Sequence, residues 1–171
     1  ANYTQNTTAT ATADITQKSL TVTLTPSNKV YDQNNTASVT YQDNRITGDV
    51  FIVSGTATFP DKNVGTNRTV TANSIALTGT DAGNYSQNTT ATSTANITAK
   101  PLAVTITATN KVYDGNTAAT VTYLDNRIAG DVFTVSGSAT FSSKTVANGK
   151  TVTASSIALT GTDAGNYSQN T

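Results

Sequence analysis

The chain has 171 residues, and ten Lys and Arg residues balance ten acidic residues, so its formal net charge is zero. Only 12% of the residues are charged, which excludes a basic surface for nucleic acid, and no apolar run approaches the roughly 20 residues that cross a bilayer. Cys, Met, His and Trp are absent and all ten acids are Asp. The usual metal ligands and general bases are therefore missing, and we expect no metal, no cofactor and no enzymatic activity.

A repeat of 82 residues organises the chain. Residues 79–89 recur letter for letter as residues 161–171, so that Tyr3, Tyr85 and Tyr167 are evenly spaced. Shifting the chain by this period aligns it without a gap, and about seven in ten aligned positions are identical. The sequence therefore holds roughly two copies of one small domain.

The positions at which the repeat starts and ends divide the chain into three predicted segments. Residues 1–16 match the end of the repeat and are predicted to be the closing strand of a preceding unit. Residues 17–98 form a complete unit, and residues 99–171 form a second unit without its closing strand. The junction is predicted at Ala99-Lys100-Pro101, where Pro favours an extended residue before it. So short a junction leaves adjacent units little freedom to swing.

The opening strand of each unit is predicted from alternation of apolar residues with Thr, the period-two pattern of a strand with one buried face. It passes through Leu20, Val22 and Leu24. A turn follows at residues 31–33 and again at residues 113–115. In the second turn Gly follows Asp and supplies positive φ without steric cost. In the first turn Gln replaces that Gly, so the turn is either of a different type or mildly strained.

The middle of each unit is predicted to hold two β segments. A strand through residues 37–41 leads to residues 51–59, whose odd positions share one face, as one strand or as two joined at Ser54-Gly55. The buried face then changes parity, which predicts a bulge or bend near Asn73 and its counterpart Ser155. A short helical turn there is the alternative. The loop at residues 60–68 diverges most between copies, as exposed connections do.

The last segment of the unit begins at Tyr85. Alternate residues from Tyr85 to Ile97 share one face, which predicts one long strand or two strands that turn near Asn88. No segment has sustained helical periodicity, and abundant Thr, Val and Asn lower helix propensity. We therefore predict an all-β fold of tandem immunoglobulin-like β-sandwich repeats, with β-grasp-like units containing a short helix as the alternative.

The first candidate site is the motif Asp81-Ala82-Gly83-Asn84-Tyr85, which recurs at residues 163–167. Its spacing resembles the tyrosine corner of immunoglobulin-like domains, in which a Tyr hydroxyl bonds nearby backbone. We expect the Asp to accept backbone N–H groups of the turn, the Gly to take a left-handed φ and the Tyr to be buried. The structural residues predicted here are Asp81, Gly83, Tyr85, Asp163, Gly165 and Tyr167. Calcium binding is the alternative, but Ca²⁺ needs six or more oxygens and no Asp-rich cluster surrounds the motif.

The second candidate site is the pair of an aromatic residue and an acid in the first turn of each unit. A core Tyr with a turn Asp is the favoured interpretation, and an aromatic platform with an acid for a sugar hydroxyl is the alternative. The residues concerned are Tyr31 and Asp32 in the first unit and Tyr113, Asp114 and Gly115 in the second. An isopeptide bond from the nearby Lys29 or Lys111 to an Asn is also conceivable, although Asp would have to replace Glu as its catalyst.

These motifs together resemble a known family. Residues 111–116, Gly130-Asp131 and residues 161–167 resemble the YDG/MBG-type repeats of large bacterial surface adhesins and haemagglutinin-like exoproteins. The resemblance spans both units and departs from the family pattern at Gln33. It implies a tandem extracellular module in a long adhesin.

The expected function is mechanical. Near-identical β-domains in series would be a structural spacer that projects a terminal binding domain from the bacterial cell surface, with neighbouring repeats as their partners. The alternative is a module that binds host glycans or mucins weakly and gains from avidity. An extracellular location fits a chain without oxidisable Cys and Met. We also hypothesise that residues 1–16 of one chain complete the second unit of another by strand addition.

Overall fold

The computed structural model describes residues 2–169 and shows an all-β chain, which confirms the predicted fold class. The strands of the first unit are β1 (Lys18–Leu20), β2 (Val22–Pro26), β3 (Lys29–Val30), β4 (Val39–Asp43), β5 (Ile52–Thr58), β6 (Gly65–Thr78), β7 (Tyr85–Gln87) and β8 (Ala91–Thr98). Those of the second unit are β9 (Lys100–Leu102), β10 (Val104–Ala108), β11 (Val121–Asp125), β12 (Thr134–Phe141), β13 (Val152–Thr160) and β14 (Tyr167–Gln169). Within residues 2–169 the helical elements are two short 3₁₀ turns, Ala82–Asn84 and Ala164–Asn166.

The first unit has a four-stranded sheet of order β3-β8-β6-β5, a β2-β4 ribbon and a parallel pair of β1 with β7. Within the sheet, β8 runs antiparallel to β6 and parallel to β3. The β2-β4 ribbon packs on β8, and the core between them contains Val22, Val70 and Ile97, each at most 2% exposed. Burying such side chains supplies the main stabilisation of a unit this small.

The opening strand is two strands rather than one. Leu20 and Leu24 are both buried, as the alternation predicts, but β1 pairs with β7 while β2 pairs with β4. Thr21 lies between them and donates its backbone N–H to Asn44 Oδ1 at 2.8 Å. The single predicted strand is therefore wrong, because its two ends complete different sheets and the alternation continues across the break.

The predicted bulge is confirmed. The register between β5 and β6 shifts at Ser54/Thr56, and Ser74 takes a left-handed φ of 55°. Its counterpart Ser156 has a φ of 53° in the second unit. The extra residue on β6 allows residues on both sides of the bulge to face the core despite their opposite parity.

The last segment of the first unit divides near Asn88, one of the two predicted possibilities. Asn88 accepts the backbone N–H of Val22 and donates to the Val22 carbonyl, at 2.7 and 3.0 Å. These bonds satisfy the backbone of β2 at the break between β7 and β8. The Asn88 side chain therefore makes the two hydrogen bonds to Val22 that a paired strand would otherwise make.

The second unit repeats three of these pairs, as β9-β14, β10-β11 and β12-β13, but no described strand takes the place of β3 or of β8, which lies beside β6 in the first unit. An open cleft of about 730 Å³ occupies that place, with Lys111, Tyr113, Phe141 and Val152 among its lining residues. Val70, which pairs with Ser93 of β8, is fully buried, whereas its counterpart Val152 is only half-buried. The core of the described second unit is therefore open on this side.

Residues 2–17 are exposed and contain no strand. Their sequence from Ala9 to Thr16 matches that of β8, so strand addition of this segment into the cleft of another chain stays a prediction. Of the predicted junction Ala99-Lys100-Pro101, Ala99 lies between β8 and β9, and the other two residues belong to β9. Among the described residues there is no helix long and apolar enough to cross a membrane.

Candidate functional site at the interface between the units

The two units meet in a polar interface that we call the joint. The first unit contributes its distal face, defined as Tyr31, Gln33, Lys62, Asn63 and Val64. The second unit contributes its proximal face, defined as Ala129, Asp131, Asp163, Asn166 and Tyr167. Two of the predicted motifs therefore meet here, the Tyr of the first turn and the Asp-Ala-Gly-Asn-Tyr sequence of the next unit.

Asp131 is the centre of the proximal face. It follows the turn at Ile128, whose carbonyl accepts the Asp131 backbone N–H at 3.2 Å. Tyr167, the first residue of β14, donates its hydroxyl to Asp131 Oδ2 at 2.5 Å and accepts the backbone N–H of Ile128 at 2.9 Å. The Tyr167 ring also packs on Phe133, with 5.0 Å between centroids. The tyrosine thus ties β14 to a turn 36–39 residues earlier and orients the carboxylate.

Asp163 holds the same turn from the other side. Its Oδ2 accepts the backbone N–H of Val132 at 3.0 Å, so it bonds a distant turn and not, as expected, the turn of its own motif. The expected left-handed φ at Gly165, and at Gly83, is also wrong, because both residues lie within 3₁₀ turns. The left-handed glycine is Gly161 with φ 138°, where an added Cβ would come within 2.7 Å of Phe133 Cα.

Tyr31 projects from the distal face into this arrangement. Its backbone N–H donates to the Thr98 carbonyl at 2.9 Å, which fixes it beside the end of β8. Its hydroxyl donates to Asp131 Oδ1 at 2.9 Å, and its ring meets Tyr167 edge-on at 5.6 Å. Tyr31 is only 1% exposed. The residue predicted to be a core Tyr is therefore buried in the joint between two units.

Gln33 makes two hydrogen bonds across the joint. Its Nε2 donates to Asp131 Oδ1 at 2.7 Å and to the Ala129 carbonyl at 3.1 Å. Gln33 has a φ of 70°, close to the 80° of Gly115 at the matching position. A left-handed φ costs a residue with a Cβ about 1 kcal/mol or more. The turn type is thus the same in both units. The two hydrogen bonds of the Gln33 side chain offset the backbone strain at this residue.

Lys62 supplies the positive charge of the joint. Its ammonium group lies 2.8 Å from Asp163 Oδ1 and 3.3 Å from Asp131 Oδ1. It also lies 5.8 Å from the centroid of the Tyr31 ring. The lysine side chain is 36% exposed, whereas the Asp131 side chain is fully buried. Lys62 therefore closes the solvent side of a buried carboxylate.

Two neighbouring residues of the same loop complete the contact. Val64 donates its backbone N–H to Asn166 Oδ1 at 3.0 Å, and Asn166 Nδ2 donates to Asn63 Oδ1 at 3.2 Å. Asn166 is only 4% exposed. The loop from Phe59 to β6 therefore binds the second unit through both side-chain and backbone atoms.

The charges of the joint stabilise one another. Burial works to raise the pKa of Asp131, but hydrogen bonds from Tyr167, Gln33, Tyr31 and Lys62 outweigh it and leave that pKa below its ordinary value. The Lys62 bond lowers the pKa of Asp163, and Asp163 in turn raises the pKa of Lys62. Burial, followed by the bond to Asp131, raises the pKa of Tyr167 to about 12.

This charge state gives the joint no evident nucleophile. A lysine attacks only as the neutral amine, and its two carboxylate neighbours hold Lys62 as an ammonium ion. Within the described residues, no group of three or more acids is placed to hold a metal ion. The arrangement is suited to holding two units together.

The motif of the first unit makes the equivalent contacts, and among residues 2–169 no neighbouring unit packs against it. Tyr85 accepts the backbone N–H of Ile46 at 2.9 Å and donates its hydroxyl to Asp49. Asp81 Oδ2 accepts the backbone N–H of Val50 at 2.8 Å. These contacts match those of the second unit bond for bond.

The turn acids lie outside the joint. Asp32 accepts the backbone N–H of Asn34 and pairs with Lys29 at 2.7 Å. Asp114 pairs with Lys111 at 2.8 Å in the same way. Both lysines also donate to carbonyls of their own turn, so each lysine holds the turn that follows it. The prediction of a core Tyr is wrong for Tyr113, which is 60% exposed because it lines the cleft where no described strand takes the place of β8.

Sequence reasoning missed the loop residues of the joint. Residues 60–68 were expected to be an exposed connection because they diverge between copies, yet Lys62, Asn63 and Val64 contact the second unit. The available signal was that Lys and Val keep their places in the otherwise divergent loop, as Lys144 and Val146.

Comparison with known proteins matches most of the chain to one family. A family model described as "YDG domain" matches residues 16–94 and again residues 98–171. The first match ends within β8 and the second begins at its last residue, Thr98, so each match covers most of one unit. No curated protein and no solved structure matches the chain.

Proposed function

The chain belongs to the YDG domain family, and from that premise we propose that its two units are spacer repeats of a bacterial cell-surface adhesin. In this role the units project a binding domain from the cell, and each unit has its neighbours in the same chain as partners. The function requires units that hold a fixed direction relative to one another.

The observation that supports this proposal is the buried carboxylate of Asp131. Four side chains donate to it, and three of them, Tyr31, Gln33 and Lys62, come from the neighbouring unit. A buried carboxylate without these partners is costly, because it loses its hydration and gains nothing in return. Swinging of one unit away from the other is therefore opposed, and a chain of such joints resists bending.

The chemistry of the joint also favours a spacer over the alternative, a module that binds glycans. In the first unit, Tyr31, the aromatic platform of that alternative, is buried in the joint with its hydroxyl bonded to Asp131, and Asp32 is paired with Lys29. These groups are engaged in holding units and turns. Composition supports the extracellular location, since Cys and Met, the residues most easily oxidised, are absent.

NMR relaxation of the ¹⁵N-labelled chain tests the mechanical part. We expect both units to report one common tumbling time and one diffusion tensor. The Asp131→Ala variant should give two independently tumbling units, while the matched Asp49→Ala variant, outside the joint, should behave like the parent chain. Independent tumbling of the units in the parent chain would overturn the proposal.

A glycan array tests the alternative function with the same protein. We expect the protein, at a concentration of about 100 μM, to be retained by no glycan or mucin fragment on the array. This concentration is well above the dissociation constant that a single site needs for a useful avidity effect. Specific retention that survives Asp131→Ala would favour the binding module, because such retention would not depend on the joint.

A further inference from the structure

The first and the last segments of the first unit run side by side in the same direction. We call residues 18–31 the entry segment and residues 85–98 the exit segment. At one end β1 pairs parallel with β7, and at the other end β3 pairs parallel with β8. Bonded partners stay 66 to 69 residues apart along both segments. The two segments therefore keep nearly one register from end to end.

Side chains join the two segments where strand pairing stops. Asn88 of the exit segment bonds both backbone groups of Val22 in the entry segment, at 2.7 and 3.0 Å. Asn28 Oδ1 of the entry segment accepts the backbone N–H of Asn96 at 2.8 Å. The segments are thus bonded at both ends and at points between the ends.

Apolar side chains pack along the same line. The β2-β4 ribbon packs on β8, so the entry segment also contacts the exit segment between the two pairs of strands. The side chains of these segments that are at most 5% exposed include Leu20, Val22, Ala95 and Ile97. Sliding one segment along the other would move such side chains out of a close-packed core. Packing therefore opposes the same motion as the hydrogen bonds do.

The second unit begins in the same way. Its first strand, β9, pairs parallel with β14, with Lys100 opposite Tyr167 and Leu102 opposite Gln169. These four residues occupy the places of the partners that join β1 to β7. The parallel pairing is therefore a property of the repeat and not of one copy.

Tension along the chain acts on the entry and exit segments in opposite directions. A load on the first unit enters at the N-terminal end of the entry segment and leaves at the C-terminal end of the exit segment, where the chain continues into the second unit. Since the segments are parallel, this load slides one along the other. Hydrogen bonds between strands lie across the strands and not along them, so many bonds share the load. A load that separates the strands from one end breaks the bonds one at a time.

We propose that the first unit bears tension, and that the entry and exit segments form the clamp that bears it. The clamp must yield before the load reaches the residues between the two segments. This inference deepens the proposed spacer function, on which it rests, because the joint resists bending and the clamp resists stretching. The two can fail separately. A unit that yields easily would leave the rigid joint in place, and units that tumble independently would leave the clamp in place.

Force spectroscopy on the full chain in two pulling directions tests the clamp. The sequence contains no Cys, so a pair of introduced Cys residues defines where the load is applied. Thr16→Cys with Ala103→Cys pulls the two segments in opposite directions. Thr16→Cys with Gly83→Cys pulls the adjacent ends of β1 and β7 apart. All three positions are exposed, and among the described residues no neighbouring atom lies within 4 Å of a Cβ added at Gly83.

We expect the mean unfolding force of the first pair to be about twofold higher than that of the second pair at the same pulling rate, because forced unfolding follows the unfolding rate under load. The length released by the first pair should match residues 17–102 at about 3.5 Å per residue, which identifies the first unit. Urea unfolding of both chains checks that the Cys residues leave the stability unchanged. Equal forces in the two directions would overturn the proposal.

Two asparagine variants test the clamp in the first pulling direction. Asn88→Ala removes two bonds between the segments, whereas the control Asn35→Ala removes a side-chain bond to the Phe59 carbonyl, outside both segments. We expect Asn88→Ala to unfold about tenfold faster than the parent chain at the same load, and Asn35→Ala to unfold at the parent rate. Equal acceleration by both variants, or none by Asn88→Ala, would contradict the clamp. If Asn88→Ala does not fold, the comparison of the two pulling directions still decides.

Discussion

The two proximal faces of this chain differ in one residue, Thr47 in the place of Ala129, but they have different surroundings. Asp49 and Asp131 each follow an Ile-x-Gly sequence in equivalent turns, and each accepts the hydroxyl of the motif tyrosine of its own unit. One is half-buried with a single tyrosine donor, and the other is buried with four donors from two units. The environment of a residue in a repeat protein is thus set by its neighbours as well as by its own unit.

This comparison offers a built-in control for each mutation of the joint. A change in the second unit's proximal face affects both the unit and the joint, while the same change in the first unit affects the unit alone. The difference between the two measures the joint. For the distal face, a substitution in the first unit affects the joint, and the same substitution in the second unit is the control.

Asp131→Ala should have the largest effect. It leaves the hydroxyls of Tyr31 and Tyr167, the Gln33 amide and the Lys62 ammonium without their common acceptor. We expect a loss of about 3 kcal/mol in the free energy of unfolding. Asp49→Ala should cost about 1 kcal/mol, the value of one hydrogen bond. Urea unfolding of both variants checks this, and equal losses would mean that the joint adds no stability.

Acid should weaken the joint next most strongly. The folded pKa values of Asp131 and Asp163 lie below their ordinary value, so the stability they contribute is present above the unfolded pKa of about 4 and is lost as the pH falls through the folded values. The loss should be smaller than that of Asp131→Ala, because a protonated carboxyl still forms hydrogen bonds. Unfolding measured from pH 7 to pH 2 checks this, with Asp131→Asn as a variant whose acid dependence should be reduced.

At alkaline pH the same joint should weaken for a different reason. The pKa of Tyr167 is raised to about 12, so its contribution is complete below its unfolded pKa of about 10 and is lost as the pH approaches 12. The ultraviolet absorbance of tyrosinate follows the titration directly. A Tyr167→Phe chain should lack the most alkaline part of that titration, and an unchanged curve would contradict the assignment.

Tyr31→Phe should cost about 1.5 kcal/mol, because it removes one donor from a buried carboxylate that keeps three others. Tyr113→Phe should change the unfolding free energy by less than about 0.5 kcal/mol, as is usual for an exposed position. Urea unfolding of the pair checks the difference. Equal losses in the free energy of unfolding would mean that the Tyr31 hydroxyl contributes no stability through the joint.

Gly115→Gln should have the smallest effect. It places a residue with a Cβ at a φ of 80°, which costs about 1 kcal/mol, and in the monomer it gains no partner across a joint. The opposite change, Gln33→Gly, relieves the strain but removes two hydrogen bonds, and the two terms nearly cancel. Thermal unfolding of both variants at low concentration checks the pair, and a stabilising Gly115→Gln would show that the strain argument is wrong.

Much of the fold could be predicted because it depends on local patterns. Alternation identified the buried faces of β2, β5 and β6, and the change of parity located the bulge at Ser74. The break at Thr21 and the two-residue strand β3 could not be predicted in this way. A strand that changes sheets keeps its alternation, and a very short strand is defined by its pairing partner rather than by its own sequence.

For the candidate site, the sequence by itself determined the period of 82 residues, the Asp-x-Gly-x-Tyr motif and the burial of its tyrosines. Only the tertiary structure decided that Tyr31, Gln33 and Lys62 converge on Asp131, about 70 to 100 residues later. The physical reason is that periodicity reports which side of an element meets a core. Hydrogen bonds between two separately folded units depend on their relative placement, and no local pattern in the sequence encodes that placement.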